Sequence, residues 1–230
     1  QGSEILLTDG TAPPEAFFAD LQIELAGDNP DTAAYVSEMQ VLEFSADEAA
    51  DDLVGTAFTL NFTDALTGVT PATIAYEAVR FTDLDDVTRA VAGLIDELPG
   101  YSAEVMARNP TAIEVTHHGS FTWAFGVTND PANIALELMR ADIEFLGEPS
   151  HGENWALVIN ASAPVTYESD YRDSLANIAT SLYAAVPSEF SVSRDGRTLS
   201  IEASPTTPLS SVIVTNDRQS AGWATVTPQF

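Results

Sequence analysis

The stretch Asp83-Leu84-Asp85-Asp86-Val87-Thr88-Arg89-Ala90-Val91-Ala92-Gly93-Leu94-Ile95-Asp96-Glu97-Leu98, closed by Pro99-Gly100, sets the reading of the whole chain. Val87, Val91, Leu94, Ile95 and Leu98 recur at helical spacing and form one apolar stripe. Aspartates crowd the start, where a carboxylate caps free N–H groups and meets the positive end of the helix dipole. Pro99 stops the helix. A second stretch, Asp170 to Val186 followed by Pro187, repeats the pattern. Adding 88 to the first stripe gives Leu175, Ala179, Leu182, Tyr183 and Val186, and carries Pro99 to Pro187.

Working outward, both helices have the same neighbours. Alternating strand-like runs follow each: Tyr101–Ala107 and Thr111–Thr116 after the first, Glu189–Ser193 and Thr198–Ala203 after the second. Asp195-Gly196 is a strong hairpin signal, and Asn109-Pro110 a weaker one. A third run comes next in each case, Phe121–Val127 and Ser210–Thr215. Before the helices lie Met39–Phe44, Phe58–Phe62 and Ala72–Glu77, matched by Ala141–Leu146, Trp155–Ile159 and Val165–Glu168.

Each copy therefore reads β-β-β-α-β-β-β, the first over 38–135 and the second over 136–217. Residues 1–37 are a lead-in with a possible strand at Asp20–Leu25, and 218–230 a tail with one at Trp223–Thr227. Gln1-Gly2-Ser3 reads as the remnant of a protease-cleavage linker, so the ends are expected not to be biological termini. Phe58, Leu60 and Phe62 alternate with Thr59, Asn61 and Thr63, so one face of the sheet is dry and one wet. The expected class is α+β, either a helix packed on an antiparallel sheet or two small sheets with a helix at one side.

The bulk composition fits a folded, strongly acidic chain. Its 230 residues, 45% hydrophobic, suffice for one or two cores. Asp and Glu number 35 against 8 arginines and no lysine, for a net charge of −27. Such a surface repels phosphate backbones and anionic lipid, which argues against nucleic acid and membrane partners. It suits high salt or divalent cations. Cysteine is absent, which removes thiol catalysis and cysteine zinc sites. No apolar run approaches the roughly 20 residues that cross a bilayer.

Copy one runs Glu38-Met39-Gln40-Val41-Leu42-Glu43-Phe44, then Gly55-Thr56-Ala57-Phe58-Thr59-Leu60-Asn61-Phe62, then Gly68–Tyr76, the helix ending Leu98-Pro99-Gly100, and a closing Phe121–Phe125 strand. This resembles a repeat of very large bacterial surface or secreted proteins, also found in some tailed-phage structural proteins. Copy two resembles a related repeat through Trp155–Ile159, Tyr167 and Ser174–Leu182, but it lacks the E-x-Q lead. The resemblance spans about 180 residues and implies tandem, extracellular, adhesin-like, non-catalytic modules. Their expected partners are neighbouring modules or like subunits, besides a surface ligand of unknown kind, and a virion location is the alternative.

Chemistry-bearing motifs are sparse. No G-x-S-x-G, H-E-x-x-H, P-loop or dinucleotide glycine pattern occurs. His117 and His118 are neighbours on a strand end, point to opposite faces and read as solvated turn residues. His151 lies in a loop. Trp123 and Trp155 sit at core-like strand positions, although a sugar platform including Trp223 is an alternative. Calcium needs six to eight oxygen ligands. The candidate ligands are Asp83, Asp85 and Asp86, and Glu168, Asp170 and Asp173; Asp83 to Asp86 and Asp170 also read as helix caps. Further clusters are Asp28 to Asp31, Asp47-Glu48 with Asp51-Asp52, and Asn129-Asp130. The expectation is a non-enzymatic chain with no certain cofactor.

Overall fold

A computed structural model describes residues 34–47, 53–65, 68, 73–79, 82–204 and 206–217. The expected strands at Asp20–Leu25 and Trp223–Thr227, the Gln1–Ser3 segment, and the carboxylates of 28–31, 48, 51 and 52 lie outside the described residues.

Among the described residues, twelve strands and two helices follow one another as β1 (Tyr35–Ser45), β2 (Ala57–Asp64), β3 (Thr73–Glu77), α1 (Leu84–Asp96), β4 (Tyr101–Val105), β5 (Ala112–His118), β6 (Phe121–Thr128), β7 (Ala135–Leu146), β8 (Asn154–Ile159), β9 (Val165–Glu168), α2 (Leu175–Ala185), β10 (Ser191–Asp195), β11 (Thr198–Glu202) and β12 (Val212–Asn216). Every named strand pair is antiparallel. The strands make a six-stranded sheet in the order β10-β11-β7-β1-β5-β4 and two three-stranded sheets, β12-β8-β9 and β3-β2-β6. The chain is thus β-rich with two helices, in the α+β class.

The centre of the large sheet is the β1–β7 pair, running from Tyr35↔Leu146 to Ser45↔Ala135. Val36, Glu38, Gln40, Leu42 and Phe44 of β1 face inward. In β7 the inward residues are Leu136 and Leu138, then Ala141, Ile143 and Phe145. That phase jump needs one extra residue, and the register slips between Val41 and Leu42 so that Met139 is extruded. The same jump hides the first half of β7 from an alternation search, which starts the strand at Ala141.

The dry faces of the sheets meet each other. Phe44 of β1 stacks edge-on against Phe58 of β2 and Phe125 of β6, with ring centroids 6.4 and 5.8 Å apart. Phe145 of β7 meets Trp155 of β8 in the same way at 5.3 Å. One continuous apolar core runs from Ala34 to Val214. α1 packs on β3, β4 and β5, and α2 on β9, β10, β11 and β7. Each helix packs on strands of the large antiparallel sheet and on the edge strand of one small sheet.

The helices differ from expectation in detail. α1 buries Val87, Thr88, Val91, Ala92 and Ile95, and α2 buries Leu175, Ile178, Ala179 and Leu182. Thr88, Val91, Ala92 and Ile95 map onto the four buried positions of α2 at a spacing of 87, not 88. Tyr183 consequently lies on the outer face, 39% exposed.

Candidate functional site

Of the six carboxylates expected as metal ligands, Asp83, Asp86, Asp170 and Asp173 have local partners near the two helix starts. Asp83 is the N-cap of α1, its side chain accepting from the Asp86 N–H at 2.9 Å. Asp85 and Asp86 occupy the first turn, where the helix dipole favours negative charge. Asp86 also pairs with exposed Arg89 at 2.8 Å. Near α2 the cap is Ser174, accepting from Asn177 N–H at 3.3 Å. Asp170, expected as a cap, lies four residues before that position; it accepts from Tyr171 N–H at 2.6 Å and stands 3.8 Å from His151 Nδ1. Asp173 accepts from the Tyr167 hydroxyl at 2.5 Å and the Asp170 N–H at 2.6 Å. These two hydrogen bonds hold the Asp173 carboxyl below its ordinary value, and the bond to Asp173 raises the Tyr167 phenol. Glu168 ends β9, exposed and paired in register with Asn154. Among the described residues, no three His, Asp or Glu side chains are grouped as a metal would require.

The polar centre of the molecule lies elsewhere, at the crossing of β1 and β6. Glu38 and Gln40 occupy consecutive inward positions of β1 and are 0% and 1% exposed. Gln40 Nε2 donates to Glu38 Oε1 at 2.7 Å and to the Phe121 carbonyl at 3.0 Å. Trp123 Nε1 donates to Gln40 Oε1 at 3.0 Å. The E-x-Q pair therefore fastens the large sheet to the small one through side chains, since no backbone ladder among the described residues joins the two layers. Ser120 extends the network: its Oγ accepts from the Val214 N–H of β12 at 2.8 Å, reaching the strand that ends the second half.

The chain reaches this point by a sharp corner. β5 belongs to the large sheet and β6 to a small one, and Gly119 between them adopts φ +97°, open to glycine at little cost. Gly119 N–H donates to the Val36 carbonyl at 2.7 Å. His117 Nδ1 lies 3.1 Å from the Gly119 carbonyl, and its ring stacks on Tyr101 at 4.2 Å. His117 is only 9% exposed, so of the two adjacent histidines His118 alone is solvated as expected. The inward direction of His117 places it beside Glu38, its register partner.

Burial pushes the Glu38 carboxyl up to about 8, against the opposing pull of Gln40, Ser120 and the Phe121 backbone. Burial, then the charges of Asp64 and Glu38, push the Tyr101 phenol up to about 12. Glu38 Oε2 and the Tyr101 hydroxyl are buried without a well-formed hydrogen bond. A neutral carboxylic acid is the form such an environment favours. The sequence signal was present: two polar residues at dry positions of an alternating strand.

The other tryptophan in the described strands, Trp155, is fully buried against Phe145, as core packing requires. A shallow apolar cleft is lined by Phe44, Phe58, Leu60, Ile74, Val91 and Phe125 with Thr59. Its lining carries no titratable group. The solvent face of the large sheet is acidic, with Glu43 opposite Glu137 and Glu104 opposite Glu114. No helix among the described residues is long and apolar enough to cross a membrane.

The chain matches no family model, no curated protein and no solved structure.

Proposed function

We propose that the chain is a non-enzymatic structural or adhesive segment of a larger extracellular protein, made of two copies of one β-β-β-α-β-β-β module. The observation that carries this reading is the correspondence between halves. Read from its two ends inward, the large sheet runs β4-β5-β1 and β10-β11-β7, and the small sheets run β3-β2-β6 and β9-β8-β12. Each strand of the first half has a counterpart six strands later in the same place, and each helix follows the third strand of its half. Duplication of one unit produces that arrangement. The repeat resemblance in the sequence and the acidic surface support an exported, cell-surface location.

On this reading the partners are neighbouring modules of the same polypeptide or like subunits. Strand edges supply the means, because an edge offers unpaired N–H and C=O groups to a further strand. A tailed-phage virion subunit is the alternative that shares the repeat resemblance, and a calcium- or carbohydrate-binding module is the other.

Light scattering coupled to size exclusion, with electron microscopy of the same fractions, tests the proposal. A monomer across the accessible concentration range supports a segment in a tandem array. Closed rings or tubes would overturn the cell-surface reading in favour of the virion subunit. Thermal unfolding in calcium and in sodium chloride at matched ionic strength adds the ligand arm: a rise specific to calcium would favour the binding module, and an equal rise in both salts would be charge screening.

A further inference from the structure

We infer that Glu38 is a proton-operated latch: neutral, it holds β1, β6 and β12 together at the seam between the two halves of the chain, and its ionisation loosens that seam. The geometry is a buried carboxyl at a point where side chains tie three sheets. Glu38 and Gln40 come from the six-stranded sheet, Phe121 and Trp123 from the β3-β2-β6 sheet, and Ser120 passes the connection to Val214 of the β12-β8-β9 sheet. Glu38 Oε1 has Gln40 as donor, whereas Oε2 is enclosed without a well-formed donor. For an ionised carboxylate there, the cost of leaving water outweighs the hydrogen bonds of Gln40, Ser120 and the Phe121 backbone, and the neutral acid avoids it.

Among the described residues set against Glu38, the basic side chain is His117. β5 presents His117 as the register partner of Glu38, and β4 presents Tyr101, stacked on that imidazole. Asp64, at the end of β2, acts on the same Tyr101 and adds negative potential. β7 presents Ile143 opposite Glu38, the corner before β6 presents Ser120, and β6 presents Phe121 and Trp123, all uncharged.

The direction of the linkage follows. A free glutamate loses its proton near 4.5, whereas folded Glu38 keeps it to about 8. Between those values the folded chain holds a proton that the unfolded chain has released. The contribution of Glu38 to stability is therefore greatest at acid pH and falls as pH rises, by at most about tenfold in the equilibrium constant per pH unit, levelling above the folded value.

Amide hydrogen exchange on the full chain and on Glu38→Gln tests the latch. Protection at Val214, whose N–H donates to Ser120, is compared with protection at Ile143 in the middle of the large sheet. Raising the solution from about pH 6 to about pH 9 is expected to lower the Val214-to-Ile143 protection ratio tenfold or more in the native chain, after correction for intrinsic exchange. The ratio is expected to stay constant in Glu38→Gln, which keeps shape and His117 but cannot ionise. An unchanged ratio in the native chain, or the same fall in the variant, overturns the proposal. Should the variant fail to fold, difference infrared spectroscopy of the native chain decides. A buried carboxylic-acid band that disappears over the same pH range supports the latch, and its absence at about pH 6 refutes it.

Discussion

Truncating Phe145 to alanine asks whether the two halves are one cooperative body. Phe145 is fully buried in β7, pairs in register with Val36 of β1, and packs on Trp155 of β8. Phe-to-Ala changes in close-packed cores cost about 3–5 kcal/mol through lost transfer energy and the cavity left behind. With a urea slope of about 3 kcal/mol per molar, the midpoint falls by about 1–1.7 M. Trp123 lies in β6 and Trp155 in β8, so 5-fluorotryptophan labelling in a Trp223→Phe background places one ¹⁹F reporter in each half. Because the core is continuous and β1 pairs with β7 along its whole length, both signals are expected to shift together, although the lesion belongs to the second half. If the Trp155 signal moves and the Trp123 midpoint stays in place, the halves unfold separately. The argument from the shared sheet would then be wrong.

Three further outcomes are expected. Gln40→Ala strips the donors and acceptor that serve Glu38, Phe121 and Trp123. With about 1–3 kcal/mol for each buried group left unsatisfied, the loss by denaturant titration is expected to exceed about 3 kcal/mol. Glu104→Lys replaces a like-charge cross-strand pair with Glu114 by an opposite-charge one, and is expected to stabilise by about 0.2–1 kcal/mol at low salt and by less in molar sodium chloride. Asp83→Ala and Ser174→Ala each remove a helix cap and are expected to cost about 1 kcal/mol by thermal unfolding, whereas Asp170→Ala, outside the cap position, is expected to cost less.

Much of the fold was legible in local pattern, and the failures share a cause. Strands such as Phe58–Phe62 announce themselves by strict alternation, and α1 by its stripe, its Asp83 cap and Pro99. The start of β7 did not, because the bulge at Met139 puts its alternation out of phase. The 88-residue spacing was off by one because Pro99 and Pro187 mark helix ends, whereas burial follows which turn meets the sheet. The expected cap at Asp170 yielded to Ser174, since a cap is decided by where the first helical turn begins.

The candidate site was the least legible part. Glu38-Met39-Gln40 was visible as a motif, but a polar residue in a strand gives no sign of its partner eighty residues away. His117 read as solvated because its burial comes from Tyr101 and from the corner at Gly119, both set by which strands pair. By itself the sequence determined the order and kind of the elements, the wet and dry faces of the strands, and the acidic surface. These depend on side-chain period and composition, which are local. Only the tertiary structure decided that β1 pairs with β7, that facing sheets and not helices cover most of the core, and that Glu38 is buried at their crossing. Those choices rest on contacts between residues distant in the chain, where burial of apolar area and satisfaction of buried polar groups are settled jointly.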